Sequence, residues 1–312
     1  MNNNLKAGII SGLIAGIVAG IIGAIFTIFV MKAGLPYLYA GPLPVTKIFI
    51  IEIILTLIWG IILSVIFLKA YDVIPGKRIS KYIIYGLFCH LVLGIRIVTF
   101  WVPYAMVAES APWIIIGFPK WIVYALVLGF LYEFLSSKKY IIIDKKEIIK
   151  YDMISGVVLG AFLGIINGIL ANLTLYIGMA LGFWYTATGV SFLEYLKDIE
   201  FVTYQFGTQT FIHLLWGAIF GAIFARSYNI IPGKGVTKGL YYGLVVALIT
   251  GVHKGAFYLA YGYIQPLGVL VPGLNIEMKE FFSVFGQEWI VVDLVVYAVY
   301  GLLLGKFYKL PK

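Results

Sequence analysis

The stretch Ala7–Met31, AGIISGLIAGIVAGIIGAIFTIFVM, contains no charged residue and decides the fold class. An α-helix rises about 1.5 Å per residue, so about 20 such residues cross the hydrocarbon core of a bilayer. A second uncharged run, Met153–Leu193, follows in mid-chain. Both runs predict transmembrane helices. The first does not resemble a cleaved signal peptide, because its apolar stretch is too long and lacks a small-residue cleavage site.

The composition of the 312-residue chain agrees with a membrane location. Hydrophobic residues make up 62% and charged residues 12%, whereas soluble proteins average about 25% charged. Backbone groups in lipid must pair within helices or a closed barrel, and the apolar runs lack the alternation of barrel strands. The single cysteine, Cys89, excludes an intrachain disulfide bond. The fold class predicted is an all-α polytopic membrane protein.

The apolar runs predict eight transmembrane helices, near residues 7–31, 48–68, 82–102, 115–135, 153–178, 206–225, 239–262 and 287–305. Loops on the side of both termini then carry sixteen lysines and arginines, and the opposite side carries five, counting Lys120 near the outer end of its span. The positive-inside rule places the first side, with both termini, in the cytoplasm of a cell-membrane protein. Anionic lipid headgroups on that side are the expected partner. The net charge of +9 is spread over short loops, so no nucleic-acid partner is expected.

An internal repeat divides the chain. Leu57–Leu87 aligns without gaps on Leu214–Leu244 with 15 of 31 positions identical. The predicted organisation is a first four-helix repeat at 1–140, a basic cytoplasmic linker at 141–152, and a second four-helix repeat at 153–312 with longer outer loops. Four spans per copy give both copies one orientation, so we expect a pseudo-two-fold axis along the membrane normal.

Two motifs occur in both copies. Glycines at four-residue spacing lie on one helix face and predict close helix packing. An Ile-Pro-Gly-Lys turn predicts a tight cytoplasmic hairpin whose glycine has positive φ. Ser80 and Thr237 are expected to cap the helices that follow, and the lysines of the turns are expected to lie at lipid phosphates. The glycines are Gly12, Gly16 and Gly20 with Gly156, Gly160 and Gly164, and the turn residues are Pro75, Gly76 and Lys77 with Pro232, Gly233 and Lys234.

Polar residues inside the predicted spans are the candidate site, because a charge at the centre of a membrane helix costs about 2.5–3.5 kcal/mol. Spacing from the turns predicts an ion pair between Glu52 and Arg96. It also places Lys254 and Asp293 at similar depth, and we expect them to line a wet, outward-opening cavity. The candidate solute or ion pathway comprises Glu52, Arg96, Gln209, His213, His253, Lys254 and Asp293.

The sequence favours a transport protein, a permease or channel for a small polar or ionic solute. The alternative is a non-catalytic membrane subunit or scaffold with membrane-protein partner subunits. An intramembrane enzyme acting on lipid is a third and weaker alternative. No HExxH, GxSxG or GxGxxG motif is present in a catalytic context, so we expect neither enzymatic activity, nor a cofactor, nor a bound metal.

Overall fold

The structure is a computed structural model and describes residues 3–34, 43–102, 111–136, 146–184, 191–270 and 276–308. All regular secondary structure within these residues is helical. The first part of the chain contains α1 (Asn3–Lys32), α2 (Val45–Ala70), α3 (Ile79–His90), π1 (Leu91–Ile95), α4 (Arg96–Trp101) and α5 (Pro112–Leu135). The remainder contains α6 (Lys146–Ala180), α7 (Phe192–Tyr195), α8 (Ile199–Ser227), α9 (Gly235–Ala247), π2 (Leu248–Val252), α10 (His253–Ile264) and α11 (Met278–Phe307).

Seven helices are long and apolar enough to cross a membrane, counted over the described ranges. They are α1, α2, α5, α6, α8, the continuous helix from α9 through α10, and α11. The predicted third span appears as α3, π1 and α4, of which Ile79–Ile95 forms a shorter apolar helix. The chain therefore has the helices of a polytopic membrane protein, and an eighth span stays a prediction.

The helices expose apolar faces. Each long apolar helix buries between 33% and 61% of its most hydrophobic window. The exposed side of α6 illustrates the remainder, with Val158, Phe162, Leu173 and Ile177 all largely accessible. Water would make such faces unfavourable, whereas lipid chains solvate them.

The chain forms two compact units. Of the described residues, the first unit contains 3–34, 43–98 and 111–136, and the second contains 99–102, 146–184, 191–270 and 276–308. The predicted linker at 141–152 is helical from Lys146 onward, as the start of α6, and 137–145 lies outside the described residues. Residues 99–102, which we assigned to the first repeat, belong to the second unit.

The glycine faces pack closely in both units. An added Cβ at Gly12 would lie 2.6 Å from the carbonyl oxygen of Gly60, and one at Gly160 would clash with the carbonyl oxygen of Gly217. Gly60 and Gly217 are matched positions of the repeat, so Gly12 corresponds to Gly160 in the packing. The sequence alone pairs Gly12 with Gly156, which lies one helical turn before Gly160. Because the glycines recur every four residues, the two sequences match almost equally well when one is shifted by four positions.

The two Ile-Pro-Gly-Lys turns adopt the predicted backbone. Gly76 has φ +94° and Gly233 has φ +90°, a region that favours glycine. The predicted caps by Ser80 and Thr237 are wrong, since neither α3 nor α9 has a side-chain cap at its start. The Ser80 hydroxyl instead accepts from the backbone N–H of Lys77 at 2.8 Å and donates to the Lys77 carbonyl at 2.7 Å. It closes the turn itself.

A buried lysine follows each turn. The Lys81 ammonium donates to the carbonyl of Tyr71 and lies 4.2 Å from the centroid of its ring. Lys238 makes the same two contacts with Tyr228, at 4.1 Å from the ring. Each lysine thus satisfies a carbonyl at the C-terminal end of the preceding helix, where a positive charge is favourable.

Tyrosine hydroxyls tie neighbouring helices together at matched positions. A tyrosine on the third helix of each unit and another on the fourth donate to carbonyls of the second helix. Each of these carbonyl oxygens already accepts a hydrogen bond within its helix, so the tyrosine hydroxyl donates to the second lone pair of the carbonyl oxygen. The four bonds are Tyr85 to Leu63 (2.6 Å), Tyr242 to Phe220 (2.5 Å), Tyr124 to Gly60 (2.7 Å) and Tyr300 to Gly217 (2.7 Å).

Candidate functional site: buried polar groups of the two units

In the first unit, a buried ion pair joins α2 to α5. The Lys120 ammonium lies 2.7 Å from Glu52 Oε2, and the Glu52 side chain is 1% exposed. Gly23 of α1 leaves room for the pair, since an added Cβ there would lie 3.0 Å from Glu52 Oε2. Sequence reasoning counted Lys120 among loop residues and missed this contact. Arg96 is also buried, and the predicted Glu52–Arg96 pair stays a prediction.

In the second unit, the Lys254 ammonium lies 3.9 Å from Asp293 Oδ2. It also lies 3.8 Å from the centroid of the Trp289 ring, within the range of a cation–π interaction. The two residues predicted to share a depth are therefore brought together. The wet cavity predicted around them is wrong, because their side chains are only 2% and 0% exposed.

A polar stripe runs along α8. Gln205, Gln209 and His213 are spaced four residues apart, lie on one helix face and are all buried. The His213 Nδ1 atom lies 3.1 Å from the carbonyl oxygen of Gln209. Its ring stacks on Tyr297 of α11 with centroids 6.4 Å apart, so the stripe faces α11.

Each unit has a π-helical segment at the same repeat position. Leu91–Ile95 directly precedes Arg96, and Leu248–Val252 directly precedes His253. A π segment inserts one residue into a helix and shifts the faces of the residues that follow. Both Arg96 and His253 are buried. No sequence pattern we used could have revealed these segments, since their side-chain periodicity differs from α-helix by a single residue.

Sequence reasoning also missed buried polar residues of the second unit, among them two asparagines, a glutamine and a glutamate. Asn167 and Asn172 lie on α6, Gln205 on α8 and Glu288 on α11. Glu288 is the second residue of the last predicted span, and it was not included among the charged residues within the spans. A count of all polar residues within helix-length windows would have found it. The amides carry no charge, and a search limited to charges and histidines passes over them.

The predicted pathway is thus divided between the units. Glu52 and Arg96 belong to the first unit, whereas Gln209, His213, His253, Lys254 and Asp293 belong to the second. Within the second unit, Lys254 contacts Asp293, and His213 contacts the backbone carbonyl of Gln209. Such groups bind and orient a polar or charged solute by hydrogen bonds in a medium that excludes water.

No family model matches the chain, and neither a curated protein nor a solved structure is detectably similar to it.

Proposed function

We propose that the protein is a transport protein, a permease or channel for a small polar or ionic solute. The observation that carries this is the polar content of the second unit. Its membrane-crossing helices bury Gln205, Gln209, His213, His253 and Glu288 in addition to the Lys254–Asp293 pair. Neutralising one aspartate requires only one lysine. Further polar groups at membrane depth are costly and typically mark solute or ion pathways.

Permeation can be tested before the solute is known. The purified protein would be reconstituted into liposomes and mixed in a stopped-flow instrument with hyperosmotic urea, glycerol, ammonium chloride or sodium chloride. Solute entry makes shrunken vesicles re-swell, which light scattering follows. We expect faster re-swelling than in protein-free liposomes for at least one solute. Identical rates for every solute, with and without protein, would contradict the proposal.

A scaffold or non-catalytic subunit is the second candidate, favoured by the sealing of Lys254 and Asp293 from solvent. A sealed pair suits a structural role, since water cannot reach it. Native mass spectrometry after mild solubilisation from the source membrane distinguishes the candidates. A stable complex of fixed stoichiometry together with inert liposomes would support the scaffold. The transport proposal expects permeation by the chain in the absence of other proteins.

We further propose eight spans in two parallel repeats, in the cell membrane, with both termini and both turns in the cytoplasm. The exposed Lys77 and Lys234 then face anionic headgroups. Single cysteines at Lys77, Lys234 and Lys197, in a Cys89→Ala background, report the side of each loop. On intact cells an impermeant thiol reagent should label only the Lys197 site. If the helix beginning at Ile79 does not cross, Lys77 and Lys234 will label differently.

A further inference from the structure

Glu288 of α11 is a buried carboxylate. Its residue is 4% exposed, on the face of α11 that carries Val292 and Val296 one and two turns further along. Across the described ranges, no hydrogen bond or ion pair involves Glu288. An ionised carboxylate in an apolar bundle needs a positive partner, since its desolvation is otherwise uncompensated.

Gln205 lies at the height of Glu288. The hydrogen bond from Tyr300 to Gly217 spans 83 residues, and His213 stacks on Tyr297 in the same sense. Helices α8 and α11 therefore run in the same direction. Adding the same separation of 83 residues to Gln205 gives residue 288. Gln205 is 1% exposed, and neither atom of its amide has a hydrogen-bond partner among the described residues.

The neighbouring turn of α6 supplies a third oxygen. Ala171 packs against Val292 and Val296, and Gly160 lies near Tyr300, so α6 and α11 are antiparallel. The level of Glu288 is then reached one turn beyond Ala171. Asn172 lies between Ala171 and that level, and it is fully buried. Its Nδ2 atom donates a hydrogen bond to the carbonyl of Gly168 at 2.9 Å. Its Oδ1 has no partner within the described part of the chain.

Aromatic side chains cover this level from the loop side. Leu175, one turn beyond Ala171, packs with the buried Tyr195 of α7, and four further aromatic residues adjoin them. An aromatic face attracts a cation and excludes water. The four residues are Tyr176, Trp184, Phe192 and Phe201.

We propose that Glu288, Gln205 and Asn172 bind the ammonium group of a small primary amine beneath this aromatic cover, a site that rests on the proposed transport function. A primary ammonium has three N–H donors, which match one carboxylate and two amide oxygens. The unit already holds one alkylammonium in this way, since Lys254 lies between the Trp289 ring and Asp293. Glu288 repeats that chemistry at a place where the described part of the chain supplies no cation.

The amine can be free or part of an ethanolamine lipid headgroup, and both present the same three donors. Melting of the full-length protein in detergent, followed by tryptophan fluorescence, tests the site directly. Ethylammonium chloride should raise the melting temperature of the wild type saturably, whereas sodium chloride at equal ionic strength should not. Short-chain phosphatidylethanolamine, compared with short-chain phosphatidylcholine, which lacks N–H donors, identifies a lipid source. A shift with the lipid but none with ethylammonium assigns the headgroup.

Two variants and one control decide the assignment. Glu288→Gln should raise the half-saturating amine concentration at least tenfold, and Gln205→Met should raise it severalfold while keeping the carboxylate. Glu280→Gln makes the same change at an exposed position of the same helix and should leave binding unchanged. Should Glu288→Gln not fold, Gln205→Met carries the test.

The proposed site is wrong if neither amine shifts the wild type, if sodium chloride shifts it equally, or if the site variants bind as the wild type does. No amine-specific shift, together with permeation of another solute in liposomes, would overturn the amine site and leave the transport function standing. Saturable amine binding with no permeation of any solute in liposomes would support the amine site and contradict the transport function.

Discussion

The two units share a framework and differ in what it holds. Both contain a π segment before the buried polar residue of the third helix, a lysine on a tyrosine carbonyl after the turn, and tyrosines on carbonyls of the second helix. The first unit contains the buried Glu52–Lys120 ion pair at 2.7 Å, whereas the buried Lys254–Asp293 pair of the second unit has a separation of 3.9 Å. The framework is shared while the buried polar residues differ, and in the second unit the Gln205 amide and the Asn172 Oδ1 atom have no hydrogen-bond partner among the described residues.

The largest expected effect is on the Glu52–Lys120 pair. Glu52→Leu alone leaves a buried ammonium without its carboxylate and should cost about 3–5 kcal/mol of stability. The double variant Glu52→Leu/Lys120→Met should recover most of this loss. Lys254→Met and Asp293→Leu form the matched cycle in the second unit, where the wider separation should give a smaller coupling energy.

Unfolding in mixed micelles, monitored by tryptophan fluorescence, measures both cycles. Equal coupling energies would show that the difference in distance has no energetic consequence. A larger coupling in the second unit would reverse the comparison, and would make the Lys254–Asp293 pair the main structural one.

The sequence was sufficient to predict the seven helices that are long enough to cross a membrane, because an uncharged run of about 20 residues has few alternatives in a protein of this composition. It also predicted the positive φ of Gly76 and Gly233 and the proximity of Lys254 to Asp293. It could not determine which cation pairs with Glu52. Depth along a helix is read from residue counts, but the direction in which a side chain points around the bundle depends on π1 and on tertiary packing.

Burial was the second quantity that sequence could not supply. The wet cavity was inferred from the number of polar groups near Lys254, yet a polar group in a helix bundle can be sealed as easily as hydrated. Gln205 and Asn167 show the converse error. As uncharged amides they attracted no attention, although within lipid an unsatisfied amide is itself costly. The axis relating the repeats stays a prediction.

The next largest effect concerns glycine packing. Gly60→Ala and Gly217→Ala should each destabilise by about 1–3 kcal/mol, because the added methyl meets the backbone of the facing helix. Gly207→Ala is the control for Gly217, on the same helix with no atom within 4 Å of an added Cβ. It should be neutral or slightly stabilising. If only one of the two packed glycines proves sensitive, the shared packing is limited to the corresponding unit.

A smaller and equal effect is expected for the matched tyrosines. Tyr85→Phe and Tyr242→Phe each remove one buried hydrogen bond, to Leu63 and Phe220, and should each cost about 1 kcal/mol. Tyr241→Phe, at an exposed neighbouring position, controls for the loss of a hydroxyl. A clear difference between Tyr85→Phe and Tyr242→Phe in the same unfolding assay would show that the frameworks are not energetically equivalent.

The smallest expected effect lies in the turn. Arg78 has φ +37° and ψ −113°, while the matched position in the second unit is Gly235 with φ +49°. A side chain at such a φ is strained by contact with its own backbone, whereas glycine is not. Arg78→Gly should therefore stabilise the protein by about 0.5–1 kcal/mol, even though glycine gains entropy on unfolding.

Arg78→Gly also removes a contact, since Arg78 Nε lies 3.2 Å from Glu133 Oε2. The Arg78 side chain is 73% exposed, so solvent screens this pair and its loss matters little. Glu133 keeps the Tyr71 hydroxyl as a donor at 3.1 Å. Burial together with the Glu133 charge raises the pKa of that hydroxyl, which therefore stays protonated.

Arg78→Ala separates the two contributions, because it removes the ion pair and retains the strain. We expect Arg78→Gly to be more stable than the wild type, and Arg78→Ala to be as stable as the wild type or slightly less stable. If Arg78→Ala and Arg78→Gly prove equally stable, the backbone strain at this turn is negligible and the two turns differ only in sequence.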